Sequence, residues 1–486
     1  MSTTTTTTTP SSPADKATEA VDQALTRAQA AAQAKRFGEA AGICNDVLAT
    51  APDNAPALAL LGMIAAHTND PERGITMLER AVTLRPGVSS WYANLCALYR
   101  IAYRMQDALR VGQEAIRLDP QNADHLVNLS LVFTDVDDRD HAVACLLRAL
   151  GLRPDHADGH LALGQNLLAM GEFEPGWVEY EWRNQTEAGK GTLPKMTSAM
   201  WNGMRIPNGR LLMVGDQGYG DTIQFARYIP LIADRCQELI LGCSAEMGPL
   251  LATIPGVKQY CHRWTDVPGH AAHCRLSSVP GLVHTTLETI PAEVPYLFAD
   301  QARVAAWGEK LDASLPAGVP RIGLAWTGRP THPNDRRRSI PLARMVPFRS
   351  AGRASFVSLQ KPMPAADLAM LDQFGGMTDI SAELTDFGET AAVIDNLDLV
   401  ITVDTAMGHL AGALDKPVWI MLPKASDWRW MLNRADSPWY PSARLFRQQT
   451  PGAWDTVIAE VTAALAERLR APAETPTQPR RRQITK

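Results

Sequence analysis

Two segments of the sequence place an acidic side chain beside glycines, at points where a strand would lead into a helix. The first reads G-D-Q-G-Y-G-D and runs from Gly215 to Asp221. Glycines in such a turn let a ligand approach the backbone, and the amides that open the following helix can face an anion. The segment has neither the spacing of a dinucleotide site nor the Lys-Ser/Thr pair of a P-loop. A tight turn in which Asp221 caps the helix explains it equally well.

The second segment reads V-D-T-A-M-G-H-L-A-G-A-L, from Val403 to Leu414. Asp404 and Thr405 would stand at the carboxyl end of a strand, where open α/β sheets bind their ligands. His409 would follow about one turn into the helix. The amides at the start of that helix are suited to a diphosphate. The alternative, an N-cap followed by a packed histidine, is favoured if this segment is considered alone.

A third segment supplies positive charge. Residues 326–328, W-T-G, would end a strand, and the loop after them contains three consecutive arginines, Arg336 to Arg338. A charge run of this kind is usually a solvated surface. Because it follows a strand of the same unit as Asp404, we expect it to clamp phosphate groups, which guanidinium groups bind well.

Tryptophan is concentrated near the end of the chain, where five of the 12 tryptophans lie between Trp419 and Trp454. They include the segment D-W-R-W, Asp427 to Trp430, and they are accompanied by Tyr440. These rings could stack on a base or a sugar. Packing of a closing segment explains them at least as well.

Two other patterns have little weight. Metal-capable side chains gather between residues 261 and 274, but their spacing matches no common zinc pattern, and we expect no metal site. The D-x-D sequence from Asp135 to Asp137 falls at a turn inside a repeat and is a poor candidate for a metal–nucleotide site.

The elements that would position these residues alternate between strand and helix. Short apolar runs bounded by turn residues predict strands, and segments of helical period lie between them. Near-continuous apolar strands indicate parallel sheets covered by helices, in two units at 209–318 and 319–470. The predicted strands are 210–215, 238–243, 321–326, 355–360, 397–403 and 417–422. The predicted helices are 221–235, 364–374, 387–396, 406–414 and 453–470.

An internal repeat of 34 residues occupies residues 18–190. Its markers are four prolines at that spacing, Pro52, Pro86, Pro120 and Pro154. Small residues recur in register, among them Gly62, Cys96, Ser130 and Gly164 in one column and Ala40, Gly74, Ala108, Ala142 and Gly176 in another. This pattern resembles the tetratricopeptide repeat, a helical hairpin whose two helices approach closely at the small positions. A partial fifth unit ends in Trp177, Tyr180 and Trp182, which we expect to cap the solenoid.

Composition excludes several classes of protein. The chain has 486 residues, 20% charged residues and a formal net charge of −5. A weakly acidic globular chain is not built for general nucleic-acid binding, and no apolar run is long enough to span a membrane. Seven scattered cysteines and an N-terminus rich in threonine indicate a reducing cytoplasm rather than secretion. We expect residues 1–17 and 471–486 to be disordered tails and residues 191–208 to be a linker.

Together these features resemble a known combination. Residues 209–450 resemble the heptosyltransferase-type glycosyltransferases of the two-Rossmann (GT-B) fold. The resemblance rests on G-x-G-D, Gly218 to Asp221, and on D-T-x-x-x-H-L-x-x-A-L, Asp404 to Leu414. The whole chain looks like bacterial proteins that join tetratricopeptide repeats to such a domain, and the arrangement is also similar to O-GlcNAc transferases. It implies an α-solenoid followed by two Rossmann-like units, the first on the acceptor side and the second on the nucleotide-sugar side.

The resemblance also implies roles for individual residues. Asp221 corresponds to the catalytic base of the family, and Arg338 corresponds to the basic residue that neutralises the diphosphate. Contacts with the donor sugar and phosphates are implied for Thr327, Asp404, Thr405, Ala406 and His409. Further substrate contacts are expected from Gln217, Gly218, Gly220, Trp326, Gln360, Lys361 and Trp428.

The sequence departs from the family at three points. Ala406 stands where the family often has Gly, and Arg338 stands where it often has Lys. The acidic residue that selects the donor has no clear match, and Gln360 and Lys361 occupy that region.

The function implied is transfer of a hexosyl or heptosyl group from a nucleotide-diphosphate sugar to a protein or glycan acceptor. We expect inversion without a metal or other cofactor, and a protein partner or acceptor bound by the repeats. The alternative is an interaction scaffold whose degenerate transferase domain senses nucleotide-sugars.

Overall fold

The computed structural model describes residues 13–68, 70–216, 218–252, 254–332 and 334–470. The chain divides into two compact units, the first ending at Leu163 and the second beginning at Gly164. The predicted tail at 471–486, and residues 1–12 of the other tail, lie outside the described residues.

Ten consecutive helices, paired as hairpins, form the repeats that the 34-residue period predicts. They are α1 (Pro13–Gln33), α2 (Phe37–Thr50), α3 (Ala55–His67), α4 (Pro71–Leu84), α5 (Ser89–Ile101), α6 (Met105–Leu118), α7 (Ala123–Asp135), α8 (Arg139–Leu152), α9 (Ala157–Met170) and α10 (Phe173–Tyr180). The first helix begins at Pro13, inside the segment predicted as a tail. Proline is tolerated at the first position of a helix, where its missing N–H has no intrahelical acceptor.

The repeated prolines lie in the turns between hairpins, shortly before a helix begins. Asn54 shows how the next helix starts, because its Oδ1 accepts a hydrogen bond from the N–H of Ala57 at 3.0 Å. Such a cap satisfies one of the amides that an α-helix leaves unpaired at its start. Asp135 to Asp137, the D-x-D sequence, lies at the turn between α7 and α8, as predicted.

The small residues of the repeat lie where the two helices of a hairpin touch. A Cβ added to Gly74 would lie 2.9 Å from the carbonyl oxygen of Gly62 and 2.9 Å from Cδ1 of Leu98. A Cβ added to Gly62 would lie 2.7 Å from Cγ of Leu78. The close approach of α3 and α4 therefore requires glycine on both helices.

The second unit contains two sheets in which every pairing is parallel. Sheet A has the order β1-β5-β2-β3-β4 and sheet B the order β11-β10-β9-β6-β7-β8. The strands are β1 (Ala199–Met200), β2 (Ile206–Val214), β3 (Cys236–Gly242), β4 (Val257–Cys261), β5 (Ala272–Arg275), β6 (Arg321–Ala325), β7 (Ser355–Ser358), β8 (Met377–Asp379), β9 (Leu399–Val403), β10 (Val418–Leu422) and β11 (Ala443–Arg447).

Helices connect and cover these strands. They are α11 (Tyr219–Ala226), α12 (Ile229–Ile232), α13 (Gly248–Leu251), α14 (Val279–Leu282), α15 (Gln301–Ser314), α16 (Asp335–Arg338), α17 (Ala365–Phe374), α18 (Phe387–Asp395), α19 (Ala406–Ala413) and α20 (Trp454–Arg470). We call residues 199–282 the sheet-A unit and residues 321–470 the sheet-B unit. An α-solenoid followed by two Rossmann-like units confirms the predicted fold class.

Three predicted boundaries differ from the structure. The prediction of a single helix over 221–235 is wrong. Helix α11 ends at Ala226, and a second helix, α12, begins at Ile229 with Pro230 in its first turn. Proline cannot donate the backbone hydrogen bond that a continuous helix would need there. The expected linker at 191–208 contains β1 and the start of β2. The repeat region was expected to extend to residue 190, but its last hairpin groups with the second unit from Gly164 onward.

Trp177 explains why α10 groups with the second unit. Its indole N–H donates to the carbonyl oxygen of Thr285 at 2.9 Å, and its ring lies 5.3 Å from that of Trp428. Tyr180 also packs against Trp428, at 5.7 Å between ring centroids. Across the part of the chain that the structure covers, no helix combines the length and apolarity needed to cross a membrane.

The glycine contact between α3 and α4 generates a stability prediction. We expect Gly74→Ala to lower the free energy of unfolding of the repeats by about 1–3 kcal/mol, because its methyl group would overlap a backbone carbonyl. The matched control is Gly42→Ala in α2, where an added Cβ meets nothing within 4 Å. That change should raise stability by about 0.5–1 kcal/mol through helix propensity. Urea unfolding of the full chain, followed by far-ultraviolet circular dichroism, measures both, and equal effects of the two changes would contradict the packing argument.

Candidate active site

The strand order of sheet B creates a crevice at the carboxyl end of two strands. Strand β6 pairs with β7 on one side and with β9 on the other, so the connections leave in opposite directions at this point. Open α/β sheets bind ligands at such switch points. Thr327 follows β6 and Asp404 follows β9, so the structure brings these two predicted site residues to the same edge.

Asp404 and Thr405 open helix α19. Asp404 is buried, with 8% of its surface exposed. Burial raises the pKa of Asp404, and the nearby charge of Asp427 raises it further, whereas Arg338 opposes this. Thr405 caps the helix, since its Oγ1 accepts from the N–H of Met407 at 3.3 Å. The capping alternative is therefore observed, while Ala406, at the first helical position, is half-buried.

Arg338 lies beside this crevice at the end of α16, with only 15% of its side chain exposed. Gly328 makes room for it, because a Cβ there would lie 2.7 Å from Nη2 of Arg338. The loop is held by the N–H of Gly328, which donates to Oγ of Ser339 at 3.0 Å. Within the described ranges, the buried Nε of Arg338 makes no hydrogen bond, although it lies 3.6 Å from Oδ1 of Asp335, with which it forms an ion pair. A buried guanidinium with unused hydrogen-bonding capacity is a candidate anion contact.

His409 packs α19 against α11. Its Nδ1 lies 2.9 Å from Oη of Tyr440, and its ring stacks on Trp430 at 5.2 Å. A Cβ added to Gly220 would lie 2.8 Å from Cδ2 of His409, so glycine at this position permits the contact. Burial lowers the pKa of His409 well below its usual value, and neighbouring arginines, led by Arg429, lower it further. The histidine is neutral at physiological pH.

Asp221 stands in the first turn of α11 and reaches the sheet-B unit. Its Oδ1 accepts a hydrogen bond from Nη2 of Arg429. Its Oδ2 lies over Gly218, where an added Cβ would overlap that oxygen. A side chain at either of the two predicted glycines would therefore clash. Gly218 lies against the carboxylate of Asp221, and Gly220 lies against the ring of His409. Gln217, which precedes Gly218, lies outside the described residues.

A second carboxylate, Asp216, lies close to Asp221. Its Oδ2 accepts from the N–H of Ser277 at 2.9 Å, and its Oδ1 accepts from the Ser277 hydroxyl. Burial raises the pKa of Asp216 to about 6, and the charge of Asp221 adds to the effect. The two carboxylates therefore differ in environment. Asp221 is paired with a guanidinium group, whereas Asp216 is buried and its charged form is disfavoured.

The structure places three further predicted contacts in the protein interior. Trp326 is fully buried, and its indole N–H donates to Oδ2 of Asp367 at 2.8 Å. Oε1 of Gln360 accepts from the backbone N–H groups of Trp326 and Thr327, each at 3.0 Å. Trp428 is 3% exposed and belongs to an aromatic cluster. Trp326 and Trp428 are both buried, and Gln360 braces the loop that carries Thr327.

Lys361 is exposed, but its ammonium group is engaged. Its Nζ donates to the carbonyl oxygen of Leu384. The structure thus ties this cation to a neighbouring loop.

Two cavities adjoin each other in the second unit. The smaller, of about 300 Å³, is lined by residues of sheet A together with Arg329 from the loop after β6. Asp216 and Thr222 form part of its wall. The larger, of about 940 Å³, is lined by apolar residues that include Trp177, Trp201 and Leu282. Leu193 and Arg275 line both cavities.

No group of three or more histidine, cysteine or acidic side chains stands ready to hold a metal ion among the residues the structure describes. The cysteine and histidine side chains between residues 261 and 274, namely Cys261, His262, His270, His273 and Cys274, form no such group. All seven cysteines are described, and each is a free thiol.

Sequence reasoning missed Arg429, Asp427 and Asp216 as members of the site. Asp427 and Arg429 lie in the predicted aromatic segment, where tryptophan is the more prominent signal. Their position after the predicted strand 417–422, at the same carboxyl edge of the sheet as Asp404, is the sequence signal that could have identified them. Asp216 was inside the quoted glycine segment, next to Gly215.

Two parts of the chain match known protein families. Residues 31–99 match the tetratricopeptide repeat, and residues 369–451 match glycosyltransferase family 9 (heptosyltransferase). These matches confirm the resemblance predicted from the sequence. They indicate a glycosyltransferase domain joined to repeats of a kind that mediates protein interactions.

Individual relatives are distant. Protein FlbA of Caulobacter vibrioides is 25% identical over 482 residues, which cover 86% of this chain and 80% of FlbA. The crystal structure of MamA is 20% identical and covers 34% of this chain and 97% of MamA, with a TM-score of 0.30. A thermophilic tetratricopeptide-repeat protein of Thermus thermophilus is 22% identical, with coverages of 35% and 92% and a TM-score of 0.32.

The environment of Asp216 generates a prediction about pH. Its pKa is raised to about 6 in the folded protein, whereas an unfolded aspartate has a pKa of about 3.9. The folded state therefore binds more protons in that window, and the stability contributed by Asp216 falls as pH rises from about 4 to 6. We expect Asp216→Asn to be more stable than the wild type above pH 6 by about 1–3 kcal/mol, and to lose this advantage near pH 4.

Thermal unfolding at both pH values measures this difference. The control is Asp234→Asn, because the Asp234 side chain is 74% exposed. A stability gain of Asp216→Asn that is the same at both pH values would refute the assignment.

Proposed function

We propose that the chain transfers a sugar from a nucleotide-diphosphate sugar to a protein or glycan acceptor, with inversion and without a metal ion, and that Asp221 is the general base. The observation that carries the proposal is the meeting of opposite charges between the sheet-A and sheet-B units. Asp221 of α11 in the sheet-A unit accepts a hydrogen bond from Nη2 of Arg429, which lies in the turn after β10 of the sheet-B unit. The carboxylate of the sheet-A unit therefore meets the carboxyl edge of sheet B, where Asp404 follows β9.

Asp221 supplies the base that such a transfer needs. An acceptor hydroxyl is a weak nucleophile until a positioned group removes its proton. In the proposed step, the acceptor O–H bond breaks and its proton passes to Asp221. The acceptor oxygen then forms the new bond to the anomeric carbon as the bond to the diphosphate oxygen breaks.

The sheet-B unit supplies charge for the leaving group. The diphosphate departs with the electron pair of the broken bond and gains negative charge. Arg338 and the start of α19 supply positive potential where that charge develops. Nε of Arg338 makes no hydrogen bond among the described residues and is paired only with Asp335, at 3.6 Å. Thr327 and Thr405 bring hydroxyl groups to the same edge. We assign the donor phosphates to this edge.

Inversion follows from the number of carboxylates with a suitable position. A single base that activates the acceptor gives one displacement, whereas retention by double displacement needs a second side chain as a nucleophile. Asp404 is buried beside the donor edge, and Asp216 is engaged with Ser277. We therefore assign neither of them as a nucleophile.

The acceptor side is assigned to the sheet-A unit. The smaller cavity lies beside Asp216 in that unit, and the larger, apolar cavity shares Leu193 and Arg275 with it as wall residues. Two adjacent cavities of this size suit a bulky acceptor. The repeats match a family that mediates protein interactions, and we assign them the recruitment of the protein partner or acceptor.

The first test of the donor site uses nucleotides alone. We expect one of UDP, ADP and GDP to raise the midpoint of thermal unfolding in the presence of a chelator. A ligand at 100 times its dissociation constant adds about 2.7 kcal/mol to stability. Arg338→Ala and Thr405→Ala should lose this shift, measured against the ligand-free midpoint of each variant. Arg353→Ala, which changes an exposed arginine of the same unit, should keep it, and a shift retained by all variants would contradict the assigned site.

The second test concerns the base. We expect Asp221→Asn to lower transfer of a tritiated sugar from its nucleotide donor by about 10²–10⁴-fold, because general-base catalysis contributes about that much. The nucleotide-induced thermal shift should stay within the range of the wild type. Asp234→Asn serves as the matched control for an exposed carboxylate. Unchanged turnover of Asp221→Asn would exclude it as the base, and a wild-type protein that binds nucleotide without transfer would favour the sensing scaffold.

A further inference from the structure

Arg429 is a buried arginine that joins the sheet-A and sheet-B units at the candidate site. It is 7% exposed and lies in the 3₁₀ turn Trp428–Trp430, which follows β10 of the sheet-B unit. Two of its partners belong to α11 of the sheet-A unit. Nη2 donates to Oδ1 of Asp221, and Nε donates to Oε1 of Gln224.

The remaining contacts of Arg429 fix the guanidinium plane. Nη1 donates to Oδ1 of Asp427 at 2.7 Å. The guanidinium carbon lies 4.8 Å from the ring centroid of Trp428 and 5.8 Å from that of Phe225. All three guanidinium nitrogens donate hydrogen bonds, and aromatic rings contact the side chain. Because the group is planar, these contacts fix its orientation.

The two oxygens of Asp221 are used differently. Oδ1 is occupied by Arg429, whereas Oδ2 lies over Gly218. Among the residues that the structure describes, Oδ2 receives no hydrogen bond. Two observations, the guanidinium on one side and the glycine below, therefore determine which oxygen is available.

We propose that Arg429 is a positioning residue that binds Oδ1 of Asp221 and so directs Oδ2 toward the acceptor hydroxyl. The proton of that hydroxyl passes to Oδ2, and Arg429 itself neither gains nor loses a proton. Because Arg429 belongs to the sheet-B unit and Asp221 to the sheet-A unit, the base is in position only when these two units are closed on each other. This inference rests on the proposed function of Asp221.

Gln224 also helps to hold the guanidinium group of Arg429 in place, by accepting a hydrogen bond from its Nε. It is fully buried on α11, three residues after Asp221. Its Nε2 has no hydrogen-bond partner within the described part of the chain. The side-chain contact that the structure shows is the one through Oε1, which accepts from Nε of Arg429. Gln224 thus keeps Arg429 in register with the helix that carries the base.

The test compares kcat and the donor KM of the full-length protein for Arg429→Gln and Arg429→Lys. The wild type is first assayed with tritiated UDP-, ADP- and GDP-sugars, and the variants are then assayed with the donor that it transfers. We expect Arg429→Gln to lower kcat about 100-fold, the lower limit for a misdirected general base, with a donor KM within about threefold of the wild type. Arg429→Lys should recover about tenfold, since an ammonium group can still bind Oδ1 but not Gln224 and Asp427 together.

The control is Arg434→Gln, which removes a surface ion pair with Asp436 from the same segment and should leave kcat unchanged. Gln224→Met is the second variant, because loss of Arg429 leaves two carboxylates unpaired and can prevent folding. It keeps the charge pair and should lower kcat about tenfold, with an unchanged nucleotide-induced thermal shift.

The outcomes separate the two proposals. A wild type that transfers no sugar from any of the three nucleotide-diphosphate donors overturns the proposed function, and the inference about Arg429 falls with it. A wild type that transfers sugar while Arg429→Gln or Gln224→Met keeps its full kcat overturns the inference alone. A rise in donor KM without a fall in kcat would assign Arg429 to donor binding and would also overturn it.

Discussion

The contact between α11 and α19 is the constraint on which the geometry of the candidate site depends. Gly220 allows α11 to approach His409 of α19, and two buried arginines stabilise this contact. Arg429 reaches from the sheet-B unit to α11. Arg227 reaches from the end of α11 to the carbonyl oxygen of Trp439 at 2.7 Å. A buried guanidinium is costly unless its hydrogen bonds are satisfied, so both arginines specify one arrangement of the two helices, and with it the distance between Asp221 and the donor edge.

The fold could be predicted where burial imposes a clear sequence pattern. The strands found in advance are β2, β3, β6, β7, β9 and β10, and all of them lie inside a sheet. The strands missed are the four at sheet edges, β1, β4, β8 and β11, together with the four-residue strand β5. An edge strand is partly solvated and tolerates Lys, Gln and Arg, as in V-K-Q-Y-C of β4. Its pattern therefore lacks the continuous apolar run that identifies an interior parallel strand.

The site could be predicted only where its parts are local. Asp404 and Thr405 are adjacent in sequence and follow one strand, and the loop with Arg338 lies in the same unit. The pair formed by Asp221 and Arg429 joins residues that are 208 positions apart, and no spacing in the sequence encodes such a contact. Trp326 and Trp428 were expected to touch substrate, because tryptophan suits both a binding surface and a core. The structure shows both side chains buried, and their contact with substrate stays a prediction.

The end of the repeats is built into the sheet-A unit, and this has a consequence for the acceptor side. Arg183 follows α10 and donates to Oγ of Ser277 at 2.8 Å and to Oγ of Ser278 at 2.7 Å. Ser277 in turn holds both oxygens of Asp216, the carboxylate close to Asp221. A chain of hydrogen bonds therefore runs from the last repeat helix to the wall of the smaller cavity. The last hairpin cannot be treated as a detachable adaptor, because its removal would leave Ser277 and Ser278 without the guanidinium and would open the larger cavity along Trp177.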